Sequence, residues 1–121
     1  MPITYYTEEH EWLLVEGDFA TVGLTEFAQQ QLGDIVFVDL PEIGKEIEQD
    51  EEMAIIESVK AAGEIKAPVA GTVVAINEAL ADAPETVNQD PMGNGWFFTF
   101  RIRNDADLGH LLDEAGYKAL I

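Results

Sequence analysis

Short β-rich apolar runs, broken at regular intervals by turn residues, dominate the chain. Glu11-Trp12-Leu13-Leu14-Val15 and Phe19-Ala20-Thr21-Val22-Gly23-Leu24 flank Glu16-Gly17-Asp18, and a Gly-containing turn between two such runs predicts a β-hairpin. Thr25 can cap a short helix over Glu26-Phe27-Ala28-Gln29-Gln30-Gln31-Leu32, which spaces Phe27 and Leu32 toward one side and stops at Gly33. From there the pattern turns to strands: Ile35-Val36-Phe37-Val38, Met53-Ala54-Ile55-Ile56, Val73-Val74-Ala75-Ile76 and Trp96-Phe97-Phe98-Thr99-Phe100. Pro41, Gly44, Gly63, Pro68, Gly71, Pro84, Pro91, Gly93 and Gly95 separate them, in the rhythm of a sandwich or barrel. After Arg103 the pattern changes. Asp105 and Asp113 are N-cap candidates before Leu108-Leu111-Leu112 and Ala115-Tyr117-Leu120, so one or two short C-terminal helices are expected, with Gly116 a weak point. No low-complexity linker interrupts these pieces, and residues 1–121 are expected to pack as one domain.

A faint internal similarity adds to this reading. Gly33-Asp34-Ile35-Val36 lines up with Gly71-Thr72-Val73-Val74, Ile47-Glu48-Gln49-Asp50 with Val87-Asn88-Gln89-Asp90, and Met53-Ala54-Ile55-Ile56 with Trp96-Phe97-Phe98-Thr99. Chance recurrence of Gly-β patterns is the rival explanation. If the repeat is real, the joint between its copies contains Lys60.

Composition narrows the functions open to such a fold. Of 121 residues 47% are apolar, enough for a packed core, and 24 acids against six Lys and Arg leave a net charge of −18. That charge repels phosphate backbones and anionic lipid, so neither nucleic acid nor membrane is an expected partner. The first twenty residues are acidic, with no signal-peptide core and no Arg-rich segment, which points to a cytoplasmic protein, and a bacterial one is expected. Zero cysteines remove disulfides, thiolate metal sites and Cys nucleophiles. His10 and His110 leave little for metal or acid–base chemistry. A domain so short of reactive groups is expected to bind or carry something.

Lys60 is the candidate carrier residue. It stands in Glu57-Ser58-Val59-Lys60-Ala61-Ala62-Gly63-Glu64, where strand residues approach from both sides and small residues cluster in the middle. A hairpin tip here would project the lysine stem into solvent and leave room for a modifying enzyme; Lys45 and Lys66 lack the small-residue flank. An ordinary solvated lysine is one alternative. A Schiff-base lysine is another, but that chemistry requires a desolvated amine, and Glu57 and Glu64 beside an exposed turn favour the protonated form. Attachment of a group by a dedicated enzyme is the preferred reading.

Four stretches in order resemble the H protein family of the glycine cleavage system. They are Tyr6-Thr7-Glu8-Glu9-His10-Glu11-Trp12; Val22 to Gln29 with Leu32 to Pro41; Glu57-Ser58-Val59-Lys60-Ala61; and Pro84-Glu85 to Val87-Asn88, followed by Pro91 and the Gly93 to Trp96 turn. The resemblance covers essentially the whole chain. It implies a mostly β, lipoyl-type barrel-sandwich hybrid of two quasi-repeated strand units, with an N-terminal hairpin, a short helix and short C-terminal helices. It further implies a non-catalytic carrier with lipoate in amide linkage on Lys60, and with Glu57, Ser58, Val59 and Ala61 forming the recognised turn. In the family the lipoyl arm takes an aminomethyl group from glycine decarboxylase and presents it to aminomethyltransferase for transfer to tetrahydrofolate. Dihydrolipoamide dehydrogenase then reoxidises it. Lipoate-attaching enzymes complete the implied partners. Gly63, Thr86 and Met92 depart from usual family residues, which bears on loop shape and not on the lysine. A lipoate relay to 2-oxoacid dehydrogenases and an unmodified protein-binding adaptor are the alternatives. A biotinyl carrier would usually place Met on both sides of its lysine, where Val59 and Ala61 stand here.

Other residues carry weaker signals. His10 between Glu9 and Glu11 is not spaced to hold one ion, so no metal site is expected. Glu11 and Glu64 match acidic or polar positions near the family's arm cleft and are expected to help hold the loaded arm, whose amine is cationic when protonated. Trp12, Trp96, Phe97, Phe98 and Phe100 are expected in the core. Glu46, Glu48, Asp50, Glu51 and Glu52 form a solvated acidic face suited to steering encounters.

Overall fold

Strand β1 (Ile3–Tyr6), which the pattern did not announce, pairs antiparallel with β2 (Glu11–Glu16), from Ile3 opposite Val15 to Tyr6 opposite Trp12. In β2 and β3 (Phe19–Leu24) the expected hairpin forms, with Trp12 opposite Gly23. The protein is described by a computed structural model covering residues 2–121, without the side chains of residues 105–107. After β3 comes α1 (Glu26–Leu32). Its first turn is closed by Thr25, whose hydroxyl accepts the Ala28 N–H at 3.2 Å, and Gly33 ends it with φ 79°. Then follow β4 (Ile35–Asp39), β5 (Glu46–Ile47), β6 (Glu52–Ser58), β7 (Ala62–Lys66) and β8 (Gly71–Ile76). Two single-turn helices, α2 (Ala79–Asp82) and α3 (Thr86–Gln89), lead to β9 (Phe98–Ile102). A 3-10 helix (Asp105–His110) and α4 (Glu114–Leu120) end the described chain.

The strands form two antiparallel sheets, one in the order β1-β2-β3-β9-β8-β5 and the other in the order β4-β6-β7. Leu13, Val22, Val73, Phe98 and Phe100 from the first face Val38, Ile56 and Ile65 from the second in one apolar cluster. Full burial of each such side chain is worth about 1.5–3 kcal/mol, so the sheets are held by their inner faces. This is the mostly β architecture the pattern implied.

The details correct the reading in three places. The ladder of β9 begins at Phe98, not Trp96. Phe97 is still buried, its N–H donating to the Val22 carbonyl and its carbonyl accepting from Asn77. The repeat holds at its ends, because β4 pairs with β6 in one sheet as β8 pairs with β9 in the other. It fails in the middle: Ile47 lies in a strand and Val87 in a helix. At the C-terminus, Asp113 caps α4 by accepting the Gly116 N–H at 2.7 Å, so the expected weak point is where the cap acts. The capping side chain expected of Asp105 lies outside the described residues.

Candidate functional site

Lys60 stands at the tip of the β6–β7 hairpin. The strands run in register from Ile55 opposite Glu64 through Ile56 opposite Gly63 to Glu57 opposite Ala62. The Ser58 N–H donates to the Ala61 carbonyl at 2.8 Å, and the Ser58 hydroxyl donates to the same oxygen at 3.0 Å. That hydroxyl also accepts the N–H groups of Lys60 at 3.2 Å and Ala61 at 3.0 Å. One short side chain thus satisfies the turn that carries the lysine, as Ser often does in tight turns. Val59 donates its N–H to the Asp34 carbonyl at 3.0 Å, which ties the tip to the start of β4.

The tip is exposed, but the lysine stem does not run straight into solvent as expected. A Cβ on Gly33 would stand 3.0 Å from Lys60 Cε and 3.4 Å from its Nζ, so the stem lies across the end of α1. Nor do Glu57 and Glu64 engage its amine in an ion pair. Glu57 sits opposite Ala62 and Phe37, while a hydrogen bond shared with Glu52 pushes the Glu64 carboxyl above the usual carboxylate range. Among the described residues, Lys60 takes part in no ion pair, whereas Lys45, Lys66 and Lys118 pair with Glu51, Glu9 and Glu114.

Between α1 and the hairpin lies a cleft of about 240 Å³. Leu24, Ala28, Leu32, Ile56 and Gly63 give it apolar walls, and Glu9, His10, Gln31 and Glu64 supply polar groups. Leu32 precedes the glycine against which the lysine stem lies, so cleft and lysine share one border. A Cβ on Gly63 would meet Leu32 Cδ2 at 3.8 Å, an ordinary contact, so a small side chain fits at this departure from the family pattern.

The structure separates Glu11 from Glu64. Glu11 is 2% exposed and lines a different cavity, of about 300 Å³, along with Asp50, Lys66 and His110. Its carboxylate accepts from the Thr7 hydroxyl at 3.2 Å and the Lys66 N–H at 3.0 Å, and burial pushes its pKa up to about 7. Glu11 therefore joins the loop before β2 to the end of β7, while Glu64 belongs to the cleft.

Two residues of the site were not singled out by the sequence. Asn88 on α3 accepts the Ile35 N–H at 2.8 Å and donates to the Gly33 carbonyl at 2.8 Å and to Gln29 Oε1 at 3.0 Å. It fixes the end of α1 beneath the lysine stem. Tyr117 on α4 bonds to His10 Nδ1 at 2.9 Å and to the Thr25 hydroxyl at 2.7 Å. It holds His10, a φ 69° residue of the cleft wall whose ring also packs 4.6 Å from Phe27. Neither had a local signal, because the partners of Asn88 lie 53 to 59 positions away and those of Tyr117 lie 92 and 107 positions away. Among the described residues no cluster of three His, Asp or Glu side chains is arranged to hold a metal ion.

Residues 4–121 match the sequence profile of the glycine cleavage H-protein family. The chain is 57% identical over 118 residues to a glycine cleavage system H protein of Beijerinckia indica, covering 98% of this chain and 95% of that protein. It is 51% identical over 117 residues to one of Thermus thermophilus, with 97% and 91% covered. It superposes on the crystal structure of a glycine cleavage system H protein from Mycobacterium marinum with a TM-score of 0.87, at 35% identity, covering 96% of this chain and 94% of that one.

Proposed function

The chain belongs to the glycine cleavage H-protein family, carrier components and not catalysts, and from that premise we propose that it carries lipoate in amide linkage on Lys60. The observation that supports this most directly is the Ser58-closed hairpin, which offers an exposed primary amine in no ion pair beside a cleft that opens at the foot of its stem.

A lipoyl group fits these residues. Its hydrocarbon chain and dithiolane are apolar and suit walls made by Leu24, Ala28, Leu32 and Ile56, while an amine at its end would meet Glu64 and Glu9. When attached, the group would supply a disulfide able to take up an aminomethyl group together with two electrons, and the enzymes it would serve are glycine decarboxylase, aminomethyltransferase and dihydrolipoamide dehydrogenase. The chain's own work is presentation and shelter. Ser58 fixes the turn, Gly33 leaves room for the stem, and the cleft walls withhold water from whatever rests there. Glu64 is the carboxylate assigned to the loaded amine; Glu11 acts behind it by anchoring Lys66 and the end of β7. The setting proposed for this carrier is the bacterial cytoplasm, in line with the bacterial relatives.

Intact mass decides the matter. Protein from its native host should gain the mass of one lipoyl group, mapped to Lys60, and Lys60→Arg should return to the unmodified mass and lose glycine-dependent carbon dioxide release. A Lys60→Arg variant with full function would show that the chain works as an unmodified adaptor. Glu64→Ala should speed hydrolysis of the aminomethyl adduct several-fold, and an unchanged rate would remove Glu64 from the cleft's work.

A further inference from the structure

The sheet that bears Lys60 has an outer face whose apolar side chains stand exposed. Val38, Ile56 and Gly63 are aligned across its strands, and Val38 and Ile56 point into the core. Side chains alternate along a strand, so Phe37 with Glu57, and Asp39 with Ile55, point outward together. A β-bulge between Ile35 and Phe37 turns Val36 outward as well. The result is a run of large apolar side chains leading to the lysine: Ile55 is 44% exposed, Phe37 48%, Val36 54% and Val59, at the tip, 65%. Asp39 and Glu57 stand among them.

Contiguous exposed apolar groups with a charged border mark interaction surfaces. We propose that this outer face is the docking site of the enzyme that acylates Lys60, and that the enzyme meets it with an apolar patch bordered by Lys and Arg. The inference rests on Lys60 being the attachment residue. Two observations select this occupant. The face is continuous with the modified tip through Val59, and its borders are acidic on a chain of net charge −18, which repels a second copy and attracts a basic partner. Reach adds a third reason. An unmodified amine extends only on its four-carbon stem, so the acylating enzyme must seat on the hairpin itself. Enzymes that act on the far end of a long arm need no such contact. In the attachment step the Lys60 nitrogen attacks the carbonyl carbon of a lipoyl-adenylate made from lipoate and ATP. The amide C–N bond forms, the acyl–phosphate C–O bond breaks, AMP leaves and the amine's proton passes to solvent.

The test uses the whole unmodified chain with a lipoate–protein ligase, lipoate and ATP, followed by intact mass. Phe37→Glu and Ile55→Glu should lower kcat/KM for attachment at least tenfold, with circular dichroism and melting unchanged. Val74→Glu, at an exposed position on the other sheet, should react at the wild-type rate. Asp39→Lys should weaken attachment and flatten its salt dependence. Once loaded by long incubation, the Phe37 and Ile55 variants should support glycine-dependent carbon dioxide release at the wild-type rate. Attachment at the wild-type rate in both apolar variants overturns the proposal. So does an equal loss in glycine turnover, which would give the face to another enzyme, and so does a sedimentation change showing that a second copy occupies it. A wild-type chain that gains no mass under these conditions refutes Lys60 as the acceptor instead, which keeps the two failures distinct.

Discussion

A carboxyl with almost no access to water must find donors or keep its proton, and Glu11 does both. Its folded pKa, about 7, lies above the ordinary 4.5, so the folded chain binds this proton more tightly than the unfolded chain does. The resulting stability is complete below pH 4.5 and is lost as pH rises to about 7, by up to about 3 kcal/mol at about 1.4 kcal/mol per unit. Urea midpoints for wild type and Glu11→Gln between pH 4 and 8 should therefore converge or cross in the variant's favour as pH rises; a gap that stays constant would count against a buried titrating Glu11. Trp12 gives a second prediction. Its indole N–H donates to the Pro91 carbonyl at 2.8 Å, and its ring lies over Gly23, where a Cβ would come within 2.6 Å of ring atoms. Gly23→Ala should lower stability by about 1–3 kcal/mol through overpacking, read as a lower melting temperature. That Trp12 is buried was legible from its strand pattern. Its glycine partner was not, since register across a hairpin is needed to see the pair.

Among elements, what the sequence revealed and what it hid divide by range. The Thr25 cap, the Gly33 stop and the Lys60 hairpin are written in neighbouring residues and were legible. Strand β1 and helices α2 and α3 were missed: β1 takes its place only by pairing with β2, and single-turn helices carry almost no period. The same gap concealed Asn88, whose value lies in joining α1, Gly33 and β4. Asn88→Ala leaves a buried N–H and two acceptors short of partners, at about 1–3 kcal/mol for each that stays unsatisfied. The Ile35 amide should then exchange with deuterium much faster, while the amides of β9 keep their protection. Gly33→Ala places a side chain at φ 79°, ψ −156°, a region open essentially to Gly, and against the lysine stem. A cost of about 1–3 kcal/mol is expected, measurable as a drop in melting temperature of the unmodified protein.

For the whole molecule, charge sets how it meets others. The acids of residues 46–52 are largely exposed; Glu51 and Glu48 pair with Lys45 and Arg103, surface pairs that are worth little. The remaining field should raise encounter rates with basic partners, so association rates should fall several-fold from low to physiological salt while dissociation changes less. Rates that stay flat would deny steering. A different consequence follows from the link between Tyr117 and His10, whose partners stand 107 positions apart. The chain leaves the ribosome N-terminus first, so the acceptor hairpin, built from residues 52–66, is available for folding long before α4 exists. The clasp on the cleft wall can close only after α4 has been made. The molecule can thus present its lysine before the shelter beside it is closed.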